Sequence, residues 1–311
     1  MSEYQRLLLV APSEMRRTPA FERAAALASA KGAALHIVAF DYVEAIATTG
    51  LFNQRVMAEV REGYLQRHRL WLEDEAELQR SKGLTVTTEV LWVQQPYEEI
   101  LVHVKEMQAD MLIKDAHQEP ALKRAFVTPL DWQLLRDCPT PLHLVTDARH
   151  PLPRQIVAAV DPFRPEEQIR DLNDRIILTA LKLAAQCNAE LHLLYAYDVS
   201  SMLAAEMGMG MGMGTLPLSR GLSEELRAAQ EQAFTGLADR HGVPKECRHF
   251  LLGSPIQVIS EFAVSSLADV IVMGTVHRRG LHKLLGSTAE HVLYRVPCSI
   301  LAIKPENAVE S

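Results

Sequence analysis

"ALHIVAFDYVEAI" at residues 34–46 and "ELHLLYAYDVSSM" at residues 190–202 run in parallel without a gap, 156 positions apart, with His36 and His192 at the same place in each. An internal repeat governs every later assignment, because each copy is a structural unit of its own. Working outward, an apolar run ending in proline precedes each stretch, "RLLLVAP" (6–12) and "QIVAAVDP" (155–162), and a helical pattern lies between. In the first copy Thr18 caps that helix, Pro19 opens it and Gly32 stops it; in the second Pro165 leads and the pattern stops near Asn188. Downstream, the long amphipathic patterns in "QRHRLWLEDEAELQRSKG" and "SEELRAAQEQAFTGLADRHG" end at Gly83 and Gly242. Pro96 and Pro255 each open another helix that ends at Ala-Asp, residues 109–110 and 268–269, and "CPTPLHLV" and "VPCSILAI" supply a closing strand.

Strands that alternate with helices need right-handed crossovers, which predicts an α/β fold with a parallel sheet covered on both faces and strands apolar throughout. The chain has 311 residues, and domains run to about 100–200, so two tandem open-sheet domains of Rossmann-like plan fit the repeat. The boundaries read from the pattern are 1–147 and 154–305, joined through the Pro-rich, charged "TDARHPLPR" (146–154).

With 32 Lys and Arg against 39 Asp and Glu the formal charge is −7, which argues against a broad phosphate-backbone surface and hence against direct nucleic-acid binding. No basic region precedes a long apolar run at the start, and no stretch approaches the ~20 apolar residues of a membrane span, so a soluble, cytoplasmic protein without membrane contact is expected. Cys138, Cys187, Cys247 and Cys298 show no CxxC spacing. That reads as buried thiols in a reducing compartment, with no metal site and no disulfide framework.

In an open parallel sheet ligands bind beyond the carboxyl ends of the strands, near the switch in strand order. Two features of the second half fall there. Asp161 follows the first strand, where a carboxylate can accept a hydrogen bond from an adenine amino group or a ribose hydroxyl. "MGTVHRRGLHKLLGSTAEHVL" (273–293) runs from a strand end through a glycine-containing loop to "GST" at a helix start, with Arg278, Arg279 and Lys283 adding positive charge. Glycine permits close backbone approach and a helix start offers free N–H groups to an anion. The plainer reading has glycine turning the chain and Ser287 capping the helix. No Walker loop occurs.

The stretch from "GSPIQVISEF" to "CSILAIKP" resembles the C-terminal half of a universal stress protein domain, and the two-domain plan resembles the tandem, E-type members of that family. ATP-binding members carry Gly-x2-Gly-x9-Gly-(Ser/Thr) after the fourth strand and an Asp after the first. The resemblance implies an adenine-nucleotide α-hydrolase-like fold. It also implies a cofactor-binding set of Asp161, Met273, Gly274, His277, Gly286, Ser287 and Thr288, with ATP as the ligand of the second half. The sequence departs from the pattern twice: His277 stands in place of the second glycine, and residues 278–285 are eight where the family has nine. A Cβ at a glycine position and a shortened loop both move backbone N–H groups, so a degenerate pocket kept for packing is the competing reading.

The first half departs further. Ala11 reads as the replacement for the Asp, Asp115 stands where Gly274 does, and Thr128-Pro129 stand for Gly286-Ser287, where Pro129 lacks an N–H. No nucleotide is expected there. His117, Asp131 and Trp132 form no catalytic set on this reading: Trp132 is a packing anchor on a short helix and Asp131 a cap or surface charge. "EMGMGMGMGT" (206–215) lies in the variable connection after the second strand of the second half. Alternate glycines disfavour a helix there, thioethers alone make a weak soft-metal set, and a slack insertion or an apolar lid are the remaining readings.

The resemblance implies a non-enzymatic stress-response protein that supports survival under insults such as DNA damage. Family domains commonly pair through their last strands, which implies that "PLHLV" and "SILAI" make a pseudo-dimer within one chain, with higher association open. The alternatives are a carrier or sensor of a non-nucleotide apolar ligand and a weak ATPase; the latter lacks a paired carboxylate set for metal.

Overall fold

The computed structural model describes residues 5–48, 54–116, 130–146, 149–163, 171–198, 220–275, 288–293 and 295–305. The chain divides into two compact units, Met1–Pro153 with Cys298–Ala302, and Arg154–Pro297 with Ile303–Ser311.

The first unit contains β1 (Arg6–Ala11), α1 (Pro19–Lys31), β2 (Ala34–Asp41), α2 (Glu44–Thr48), α3 (Gln54–Arg80), β3 (Val86–Trp92), α4 (Pro96–Glu106), β4 (Met111–Asp115), α5 (Leu130–Asp137) and β5 (Leu142–Val145). The second contains β6 (Gln155–Ala159), α6 (Leu172–Cys187), β7 (Glu190–Tyr197), α7 (Arg220–Arg240), β8 (Arg248–Leu252), α8 (Pro255–Ser265), β9 (Val270–Gly274) and α9 (Thr288–Leu293). The final strand β10 (Ser299–Ile303) is counted with the first unit over most of its length.

Local chemistry sets these boundaries. Thr18 accepts a hydrogen bond from the Phe21 N–H at 3.4 Å, Pro19 occupies the first turn of α1, and Gly32 ends it at φ 67°. α6 ends at Asn188, left-handed at φ 52°, as the sequence indicates. Pro96 and Pro255 open α4 and α8. These two helices end at Glu106 and Ser265, ahead of the predicted Ala-Asp pairs, because Gln108 and Leu267 turn left-handed at φ 48° and 53°.

The Ala-Asp pairs serve the sheet instead. Asp110 Oδ2 accepts from the N–H groups of Gln5 and Arg6 at 2.8 Å each, and Asp269 Oδ2 from those of Arg154 and Gln155 at 2.7 and 3.0 Å. In both units one carboxylate thus receives the first backbone donors of the leading strand, which lies beside the strand that follows the aspartate.

In the first unit the strand order is β3-β2-β1-β4-β5-β10, and in the second β9-β6-β7-β8. All pairs are parallel except β5 with β10, which run antiparallel through Ile300↔Leu144 and Leu301↔His143. The expected all-parallel sheet is therefore mixed and mostly parallel. The central strands are buried along their length, but the edge strands β3 and β8 are partly exposed, so apolar character does not run through every strand. In each unit the order reverses between the first strand and the fourth, at β1/β4 and β6/β9, the place at the carboxyl edge where an open sheet forms a crevice.

Candidate functional site

At the carboxyl edge of the second unit β6 ends in Ala159, and Val160 and Asp161 continue beside β9. The Val160 N–H donates to the Leu194 carbonyl at 3.0 Å, which keeps this segment in register with β7. The turn into α6 is then clamped by one side chain. Asn173 Oδ1 accepts from the Asp161 N–H and its Nδ2 donates to the Asp161 carbonyl, both at 2.9 Å. A single amide thus satisfies both main-chain groups of Asp161, and the crevice rim is fixed at the residue singled out for adenine or ribose recognition.

Asp161, Met273, Gly274 and Thr288 line one cavity of about 110 Å³, together with Asn173 and apolar side chains that include Leu194 and Ile259. Gly274 has a packing reason for being glycine. A Cβ there would stand 2.7 Å from Leu172 Cδ2 and 3.2 Å from Ile176 Cδ1, so the small residue lets α6 press against the end of β9. The next residue, Thr275, is buried and donates its N–H to the Ile303 carbonyl at 2.8 Å. His277, Gly286 and Ser287 lie outside the described residues, as do His117, Thr128-Pro129 and the Met-Gly run.

The first unit has the same crevice with different chemistry. Strand register fixes the correspondence: Val10 pairs with Val38 and Lys114, as Ala159 pairs with Leu194 and Met273. Val10 is therefore the counterpart of Ala159, and Pro12, not Ala11, is the counterpart of Asp161. Aligning the two halves on their prolines shifts the comparison by one residue. A one-residue slip changes which face each side chain takes, and hydrogen-bonded register decides it.

Asp115 stands at the Gly274 position, and its Oδ1 accepts from the Ala20 N–H at 3.1 Å, so the start of α1 is met by a carboxylate of the chain itself. Lys114, the counterpart of Met273, is only 4% exposed. Its Nζ donates to Asp131 Oδ1 and to the Asp115 carbonyl, each at 2.8 Å. Asp131, expected as a cap or surface charge, is 1% exposed and is instead the carboxylate of a buried ion pair. A buried ammonium needs such a partner, so the lysine in the otherwise apolar "MLIKD" was the signal for it. Both charges border a cavity of about 210 Å³ that also meets Ser13, Glu14 and Phe40.

No helix among the described residues is long and apolar enough to cross a membrane. The model of the universal stress protein family matches the chain twice, over residues 3–146 and 154–304. Universal stress protein E of Escherichia coli strain K12 is 29% identical over 308 residues, covering 98% of this chain and 96% of that protein. Its namesake from Photorhabdus laumondii subsp. laumondii is 30% identical over 309 residues, with the same coverage of 98% and 96%. Among solved structures, a protein from Pseudomonas aeruginosa PAO1 described as functionally unknown superposes with a TM-score of 0.74 at 26% identity, covering 98% of this chain and 94% of that one. Two matches to one family model, and relatives that align from end to end, agree with the repeated fold: the chain belongs to the universal stress protein family and carries two of its domains in tandem.

Proposed function

We propose that this chain is a non-enzymatic, cytoplasmic stress-response protein whose second domain, residues 154–305, binds ATP and whose first domain, residues 1–147, does not. The observation that carries this reading is the cavity at the β6/β9 switch point, where Asp161 and Thr288 bring polar groups to walls made mainly of apolar side chains. Its volume of about 110 Å³ falls below the ~300 Å³ at which ligand pockets usually begin, so it accommodates a base or a sugar and not a whole nucleotide. On this proposal the phosphates extend toward residues 276–287, where His277, Gly286 and Ser287 would meet them. On this proposal survival under stress such as DNA damage follows from nucleotide-controlled contacts with partner proteins, the two domains forming an intramolecular pair.

The apolar walls of Leu194 and Ile259 favour a second reading, a carrier of a small apolar ligand. Native mass spectrometry of freshly purified protein, followed by ATP titration with and without Mg²⁺, separates the two. Bound nucleotide that is lost in Asp161→Ala supports the first. A protein that ignores millimolar ATP, or that co-purifies with an apolar metabolite, refutes it.

A further inference from the structure

At the opposite, amino-terminal edge of the second unit's sheet, three side chains from one strand and from the short turn that leads into its neighbour converge. Glu190 opens β7 and His192 lies on the same face two residues on. Cys247 ends the 3-10 turn Lys245–Cys247 that leads into β8. One carboxylate oxygen, one imidazole nitrogen and the thiol sulfur all lie within 4.8 Å of one another. Glu190 is exposed, His192 half-buried and Cys247 buried, so the group is anchored in the protein and open to solvent on one side.

The imidazole is held from both sides. His192 Nε2 lies 3.1 Å from Gln155 Oε1 and 3.7 Å from Glu190 Oε1, while Nδ1 lies 3.1 Å from His249 Nε2. Gln155 Nε2 donates to Glu190 Oε2 at 3.1 Å, which orients the carboxylate. Phe262 on α8 packs against both rings, with centroids 6.2 Å from His192 and 4.4 Å from His249. Oriented imidazoles and carboxylates with a second layer of hydrogen bonds are how proteins prepare metal ligands.

The first unit provides an internal control. His36 stands at the His192 position, but strand register places Thr87 at the Cys247 position, Glu89 at that of His249 and Ala34 at that of Glu190. Thr87 Oγ1 lies 2.7 Å from His36 Nδ1, so a hydroxyl holds that ring, and Glu89 Oε2 stands 3.7 Å from His36 Nε2 and 3.3 Å from His103 Nε2. The fold keeps a histidine with a carboxylate 3.7 Å away at this edge in both units; the second unit places a thiol where the first has Thr87.

We propose that Glu190, His192 and Cys247 bind one divalent cation of the zinc class, with His249 orienting His192 and the fourth position left to water. A sulfur, nitrogen and oxygen set suits this borderline ion and not magnesium or calcium, which take oxygen ligands. Donors at about 2.0–2.3 Å from zinc stand about 3.5 Å apart in a tetrahedron, so the three close in by roughly 1 Å through side-chain rotation. Coordination through His192 Nε2 replaces the Gln155 contact and keeps that with His249. Binding releases the thiol proton, since the ligand is the thiolate.

The test is Co²⁺ titration of the whole, tag-free chain, read by the thiolate-to-cobalt charge-transfer band, with Zn²⁺ stoichiometry by native mass spectrometry. One equivalent of metal and a band abolished by Cys247→Ser are expected. Glu190→Gln and His249→Gln should weaken binding about tenfold or more, while His36→Gln in the first unit should leave it unchanged. Far-UV circular dichroism on each variant separates lost ligands from lost fold. A band that survives Cys247→Ser, or a folded protein that takes up no Zn²⁺, overturns the site.

Discussion

Acidification should destabilise the first unit through one buried residue. His143 on β5 is 1% exposed and sits between two groups. Its Nδ1 lies 3.2 Å from the Ile300 carbonyl on β10, and its Nε2 lies 3.4 Å from Arg23 Nη1. A guanidinium only donates and a carbonyl only accepts, which assigns the neutral tautomer: Nδ1–H donates to Ile300 and Nε2 accepts from Arg23. Burial first, and then the Arg23 charge, push the His143 pKa down from 6.5 to about 3.

The unfolded chain therefore takes up a proton near pH 6.5 that the folded one refuses. Stability is intact above that value and is lost as the pH falls from about 6.5 toward 3. At about 1.4 kcal/mol per pH unit, the penalty reaches about 2 kcal/mol at pH 5 and about 4 kcal/mol at pH 3. All three tryptophans, Trp71, Trp92 and Trp132, belong to this unit, so urea unfolding followed by tryptophan fluorescence reports on it. His143→Gln keeps a polar group there but cannot titrate. Between pH 7.5 and 5.0 the parent should lose about 2 kcal/mol more than the variant. Equal losses in the two proteins would refute the assignment.

Four further outcomes follow. Asp131→Ala leaves the buried Lys114 ammonium without that carboxylate and should cost about 3–5 kcal/mol in urea unfolding, whereas Lys114→Met with Asp131→Leu should recover most of it. Asp269→Ala removes the acceptor of two backbone N–H groups and should lower stability by about 2–3 kcal/mol, with Asp110→Ala doing the same in the first unit. Asn173→Ala frees the Asp161 main chain and, on the proposed binding of ATP at this crevice, isothermal titration should show about a tenfold loss of affinity with the fold kept. Leu267→Gly relieves a left-handed leucine at φ 53°, 59% exposed, and should raise the thermal midpoint, with a gain of up to about 1 kcal/mol.

The sequence carried the fold because the fold is built from local signals used twice. Pro96 and Pro255, Gly83 and Gly242, and Thr18 with Gly32 mark ends of elements through backbone chemistry that needs no knowledge of the rest of the chain. Part of the crevice lining was legible for the same reason: Asp161 follows a strand, Met273 and Gly274 end one and Thr288 opens a helix, and topology sends all such positions to one edge. What escaped depends on pairing across distance. The direction of β10, the shift that puts Pro12 opposite Asp161, and the partnership of Lys114 with Asp131 are set by hydrogen-bond register and burial. Asn173 escaped because a polar residue in a first helical turn looks like any other until its partner, the Asp161 main chain, is placed beside it. Cysteine spacing likewise gave no sign of the cluster of Glu190, His192 and Cys247, since Glu190 and Cys247 meet only through the pairing of β7 with β8.

Comparing the two units residue by residue separates what holds the sheet from what works at its rim. The aspartate that receives the leading strand's N–H groups, the prolines that open α4 and α8, and the left-handed residues that follow those helices recur in both. The carboxyl edge does not recur. Where the second unit has Asp161, Met273 and Gly274, the first has Pro12, Lys114 and Asp115, and these residues consume their own binding potential. The Asp115 carboxylate already sits on the start of α1, and the Lys114 charge is already paired with Asp131. An incoming phosphate would have to displace the carboxylate of Asp115 and compete with that of Asp131, both held by charge-assisted hydrogen bonds in a largely buried setting. Removing only Asp115 is therefore insufficient to convert the first unit into an anion site. Asp115→Gly with Asp131→Asn would free both the helix start and the ammonium. If that pair gains no affinity for inorganic phosphate in a folded protein, the charges of Asp115 and Asp131 are not what keeps an anion from this crevice, and charge is refuted as the cause.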